Sequence, residues 1–158
     1  MRTAFSQKKQ TGFTFIELIV VLGMLGTLLG IVIINLLSAT QKTSLQTTTT
    51  TLVSDLARQQ IRAMAQDTQG IYFETEQYTL FRGPSYVAAD STNAVIPLGN
   101  GIEIINILFP SSQIVFVKGS GEIAAFSSGN NAITVRNTTN GEEKVITLNR
   151  FGVVTGVQ

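Results

Sequence analysis

From Phe13 to Leu37 the chain runs 25 residues with Glu17 as its sole charge, and only afterwards turns polar. A helix rises about 1.5 Å per residue, so this run would be roughly 37 Å long, more than the roughly 30 Å of a bilayer's hydrocarbon core. It predicts a membrane-crossing helix over 13–37. Beyond Lys42 the apolar positions thin to a stripe, Leu45, Leu52, Leu56 and Ala63, flanked by Val53, Ala57, Ile61 and Met64. These spacings are those of an amphipathic helix that buries one face. The pattern predicts a continuation of the helix over 38–69, ended by Gly70. From there the period becomes that of strands. "IYFETEQYTLF" reads as two short strands around Thr75 to Gln77, and "GIEIINI", "QIVFV", "AITVRN" and "KVITLNRFGVV" supply more, with "TNGE", Gly119–Gly121 and Gly129–Asn131 as turns. Gly83 to Gly99 is polar and irregular and reads as a loop. The expected fold is α+β: a long N-terminal helix, half transmembrane and half amphipathic, packed on an antiparallel β-rich head over 70–158.

Two stretches interrupt this pattern. Gly23, Gly26 and Gly30 punctuate the apolar helix, each costing about 1 kcal/mol relative to Ala in a helix interior. The Gly26–Gly30 spacing permits close helix approach in a membrane, and local unwinding at these glycines is the competing reading. Five threonines, Thr47 to Thr51, are poor helix formers because branching at Cβ restricts χ1. They read as a weak stretch of one long helix, with a flexible joint or an O-glycosylated patch as the other choices.

Charge orients the anchor. Arg2, Lys8 and Lys9 precede the apolar run, which by the positive-inside rule keeps the N-terminus in the cytoplasm and places the head outside. A cleavable secretory signal fits poorly, since no small-x-small pattern comes after the run: Ala39 has Leu37 two residues before it. A plain signal anchor leaves Glu17 without a role, although a carboxylate within hydrocarbon costs roughly 2.5–3.5 kcal/mol.

The string "TGFTFIEL", behind a basic leader and ahead of an unbroken apolar helix, resembles the processing site of type IV prepilins and pseudopilins. The resemblance implies a leader over 1–12 and a cut between Gly12 and Phe13 by a prepilin peptidase. It also implies N-methylation of the new amine at Phe13, and a pairing of that amine with Glu17 of a neighbouring subunit. Glu17 lies one helical turn from the amine, so the two charges share one depth, and pairing removes the penalty of each isolated charge. The chain's own amine is the alternative partner. The family implication for Gly26 is local unwinding in the filament. Many members carry a proline at the twenty-second mature position, where this chain has Ile34.

"DLARQQIRAMA", "IVFVKGSGEI" and "VITLNRFGVVTG" resemble the GspH/FimT-type branch, minor pseudopilins of type II secretion and related minor pilins. This second resemblance implies a subunit first held in the inner, cytoplasmic membrane and then built into a pilus or pseudopilus. Its partners would be other pilins, an assembly platform protein and, indirectly, an assembly ATPase. A major pilin forming the bulk of a fibre, and an anchored binding domain that never assembles, are the rival readings.

Composition trims the remaining choices. The formal charge is +1, from 11 basic and 10 acidic residues, which argues against a strongly basic nucleic-acid binder. Some FimT-like minor pilins bind DNA through a basic C-terminal region, but here Arg136, Lys144 and Arg150 are interspersed with Glu142 and Glu143. Without cysteine there is no disulfide or thiolate site, and without histidine the usual general base and commonest metal ligand are missing. "KGSGE" lacks the spacing of a phosphate loop and reads as a turn. Glu74 with Glu76, and Glu142 with Glu143, fall at expected hairpins. No catalytic set, metal site or cofactor site is expected.

Overall fold

The computed structural model describes residues 13–158, with side chains described except over 34–43. Contacts divide the chain into two units, one ending at Ala39 and one from Thr40 to Gln158. Helix α1 is Phe15–Ala65. Its apolar part, Phe15–Ile33, is 19 residues long, and none of its residues is buried. At about 1.5 Å per residue that stretch alone approaches the thickness of a hydrocarbon core.

The second unit is a helix segment and two four-stranded antiparallel sheets. The strands are β1 (Gln69–Phe73), β2 (Gln77–Arg82), β3 (Ala94–Pro97), β4 (Ile102–Ile107), β5 (Gln113–Phe116), β6 (Ala132–Asn137), β7 (Glu143–Leu148) and β8 (Val154–Val157), with a 3₁₀ turn at Pro110–Ser112. One sheet runs β3-β2-β1-β5 and the other β4-β6-β7-β8. The fold is therefore α+β, as the periodicity predicts. Leu45, Leu52, Leu56 and Ala63 are fully buried in one core with Ile71, Phe73, Tyr78 and Ile114 of the first sheet and Ile133, Val135, Ile146 and Leu148 of the second. Because side chains alternate along a strand, every second residue of β1 and β6 reaches this core.

The threonine run is helical. Thr49, Thr50 and Thr51 each donate a hydroxyl hydrogen bond to the carbonyl four residues back, at 2.8–3.0 Å, and Thr48 donates to the Leu98 carbonyl at 3.1 Å. Back-bonding of this kind gives each hydroxyl a partner within the helix.

Two expectations need correction. Helix α1 stops at Ala65, short of Gln69, and Gly70 is not its cap: both residues belong to β1. The carbonyl of Ala63 is taken instead by the Gly119 N–H at 3.0 Å. Gly70 is needed for a different reason, since a Cβ there would lie 2.3 Å from the Phe81 ring opposite it. The second correction is β3, which forms inside the stretch expected to be a loop and pairs with β2 from Gln77↔Pro97 to Leu80↔Ala94. Pro97 is tolerated because β3 is an edge strand.

Candidate functional site

The local sequence sets the start of α1. Thr14 is its N-cap: the Glu17 N–H donates to the Thr14 hydroxyl at 3.3 Å, and the Leu18 N–H to the Thr14 carbonyl at 3.2 Å. An N-cap oxygen satisfies one of the four donors that a helix start leaves open. Thr14 and Glu17 stand at the spacing of a capping box, and a carboxylate in the first turn is favoured by the helix dipole. Glu17 thus lies on the first turn, a few residues from Phe13, with both side chains exposed. Thr14 is a site residue that the resemblance of "TGFTFIEL" does not single out, although its S/T-x-x-E signal is plain in "TFIE".

Gly12 and the leader expected over 1–12 lie outside the described residues. Gly23, Gly26 and Gly30 all lie within α1, and a Cβ at any of them would meet nothing within 4 Å. Their lack of side chains is therefore not required by packing among the described residues.

The head holds its helix segment through polar contacts as well as the apolar stripe. Asp55, buried to 8% exposure, accepts a hydrogen bond from the Tyr78 hydroxyl at 2.7 Å and lies 3.9 Å from the Arg58 guanidinium. Burial and the Asp55 carboxylate both push the Tyr78 hydroxyl pKa upward, so the phenol stays protonated and donating. Gln59, at 1% exposure, donates to the Gly70 carbonyl at 3.1 Å, and Gln60 donates to the carbonyls of Gly121 and Phe151. Asp67, just past the helix end, pairs with Arg82 of β2 and, at 2.9 Å, with Lys118 after β5. Those two cations lower the Asp67 pKa to about 2.

Of the three C-terminal cations, Arg136 pairs with Glu103 and Arg150 with Glu122, which leaves little free positive charge for a nucleic-acid surface. Among the described residues no three His, Cys, Asp or Glu side chains gather at one point. The acids Glu74 and Glu76 lie in the β1–β2 turn, and Glu142 in the β6–β7 turn.

Residues 7–33 match the prokaryotic N-terminal methylation motif. Comparison with curated proteins gives no match, and comparison with solved structures gives none. The matched stretch contains Gly12, Phe13, Thr14 and Glu17 and runs from Gln7 to Ile33. Over residues 7–33 this α+β protein is thus similar to the N-terminal segment of a type IV prepilin-like chain.

Proposed function

We propose that the chain is a minor pilin or pseudopilin of the GspH/FimT type, held in the cytoplasmic membrane by residues 13–37 and then assembled through them into a filament. A prepilin peptidase removes residues 1–12 by cutting between Gly12 and Phe13, and the Phe13 amine is methylated. The head, outside the membrane, is carried by the amphipathic continuation of the helix. The other subunits of the filament, an assembly platform protein and, through it, an assembly ATPase are the partners.

The observation that carries this reading is the methylation motif over 7–33 on a helix whose apolar residues from Phe15 to Ile33 are all exposed. Such a helix needs hydrocarbon or other helices around it, since each large side chain gains roughly 1.5–3 kcal/mol on burial. Membrane first and filament afterwards supply both in turn. Glu17 then gains a role, because its carboxylate meets the Phe13 amine of a neighbouring subunit and offsets the cost of holding either charge in an apolar bundle. Gly23, Gly26 and Gly30, where an added Cβ would meet nothing among the described residues, serve close packing between helices of different subunits.

Intact mass of membrane-extracted protein tests the processing step. The expected chain begins at Phe13 and carries an added methyl group. Loss of Arg2, Lys8 and Lys9 leaves 8 basic against 10 acidic residues, so the formal charge moves from +1 to −2. Gly12→Val should leave the full-length chain in the membrane. A chain that keeps Met1 in peptidase-competent cells, or a normally processed Gly12→Val, overturns the proposal.

A further inference from the structure

Two asparagines of the head are each followed by glycine, Asn100 by Gly101 and Asn140 by Gly141, and all four residues are exposed. Asparagine is thermolabile because its side-chain amide carbon is an electrophile within reach of the next residue's backbone nitrogen. A glycine in that place leaves the nitrogen unhindered, since it has no Cβ. By sequence the two pairs are equivalent, and the fold makes them unlike.

At Asn140 both reacting groups are held. The Gly141 N–H donates to the Asn137 carbonyl at 2.8 Å, and a hydrogen-bonded N–H gives up its proton less readily. The Asn140 Oδ1 accepts the Glu142 N–H at 2.9 Å, and its amide donates to the Glu142 carboxylate at 3.4 Å. That Asx turn fixes the side chain toward Glu142. At Asn100 neither restraint exists among the described residues: the Gly101 N–H has no acceptor, and the Asn100 side chain makes no hydrogen bond. The Gly101 carbonyl alone is engaged, accepting from the Thr138 N–H at 2.8 Å and from its hydroxyl at 3.2 Å. Asn100 also stands between Gly99 and Gly101, at φ +93° and +76°, in backbone that glycine alone adopts without strain.

We infer that Asn100 is a site of spontaneous deamidation in the folded head and that Asn140 is protected from it. The Gly101 backbone nitrogen loses its proton to solvent base and bonds to Asn100 Cγ; the Cγ–Nδ2 bond breaks, and the amide nitrogen takes up a proton and leaves as ammonia. Water then opens the cyclic imide at either carbonyl, giving aspartate or isoaspartate. Water is consumed, ammonia is released, and nothing is oxidised or reduced. The product sets a new carboxylate beside Glu76 and Glu103, which line one depression with Asn100. Its isoaspartate form also adds a carbon to the main chain between β3 and β4, a link that crosses from one sheet to the other. The inference is independent of the processing and assembly proposed above.

Peptide mapping by mass spectrometry of the full chain, aged in detergent at mildly alkaline pH, reads conversion at both asparagines in one sample. One hydrogen bond on the nucleophile is worth about fivefold in rate, so Asn100 should convert at least about fivefold faster than Asn140. In concentrated urea, where both turns are lost, the two rates should come together, because each site is then an asparagine before a glycine in a flexible chain. Anion exchange of the aged folded protein should resolve a species with the retention of Asn100→Asp, and aged Asn100→Gln should not yield it. Conversion at Asn140 as fast as at Asn100 in the folded chain overturns the inference. So does an Asn100 that stays unconverted while the urea sample reacts, since the fold would then protect it. A difference that persists unchanged in urea overturns it as well, because the flanking sequence rather than the fold would be its cause.

Discussion

The apolar segment of α1 and the head solve opposite problems with the same chain. From Phe15 to Ile33 every residue is exposed. In the head, Leu45, Leu52 and Leu56 continue the helix but are wholly enclosed, and two sheets close over them. A helix that is apolar all round needs a membrane or other helices, whereas one with a single stripe needs only a sheet. The two differ, therefore, in where their apolar surface is meant to go, outside the molecule in one case and inside it in the other.

Cutting the chain at the boundary between them breaks the comparison most severely. A fragment starting at Thr40 should be soluble and folded, should melt cooperatively, and should neither partition into membranes nor enter filaments, as fractionation and thermal unfolding would show. Filaments formed by that fragment alone would remove the assembly role from the N-terminal helix.

Leu56→Ala should act on the head alone. Deleting a fully buried leucine side chain costs about 2–5 kcal/mol, read from denaturant unfolding, and processing at Phe13 should be unchanged. A smaller effect is expected for Tyr78→Phe, which leaves the Asp55 carboxylate without its donor; about 1–3 kcal/mol of head stability should go. Here a loss no larger than that of an exposed Tyr→Phe control would show that Asp55 is otherwise satisfied.

The smallest effect concerns pH. Because Lys118 and Arg82 depress the Asp67 pKa, from an ordinary value near 3.8 to about 2, their pairing stabilises the fold above about pH 4 and is lost as pH falls through about 2. Asp67→Asn should therefore lower the melting temperature slightly at neutral pH and make no difference once the carboxylate is protonated. Persistence of the difference below about pH 2 would assign it to something other than the ion pairs.

Legibility in the sequence divides along the same line. The apolar N-terminal helix is legible because its signal is local, an unbroken run of apolar residues. Its cap by Thr14 is equally local, since "TFIE" shows it, but it lies hidden inside the louder processing motif. In the head the stripe and most strands are legible from period alone. The helix end is not, because Gly70 looks like a cap while its real constraint is the ring of Phe81, eleven residues away across a strand pair. Strand β3 is hidden because "AVIP" is short, exposed and ends in proline, properties of an edge rather than of a core strand. Asp55 and Gln59 give no sign of burial, since their partners, Tyr78 and the Gly70 carbonyl, come from the sheet.

The central claim is that the N-terminal helix is the assembly element and that Glu17 is its docking charge. The direct measurement is the fraction of Glu17→Val and Glu17→Gln in sheared filaments or pulled-down assemblies, relative to each variant's processed pool in the membrane, in cells making the other subunits. Both variants should be cut and anchored as the wild type is. Both should be largely excluded from assemblies, because an amine left in an apolar bundle without its carboxylate costs about 3–5 kcal/mol. Glu17→Gln, nearly the same in shape, should fall closer to Glu17→Val than to wild type. Incorporation of Glu17→Val at the wild-type fraction would contradict the account and return "FTFIELIVVLG" to the standing of a plain signal anchor.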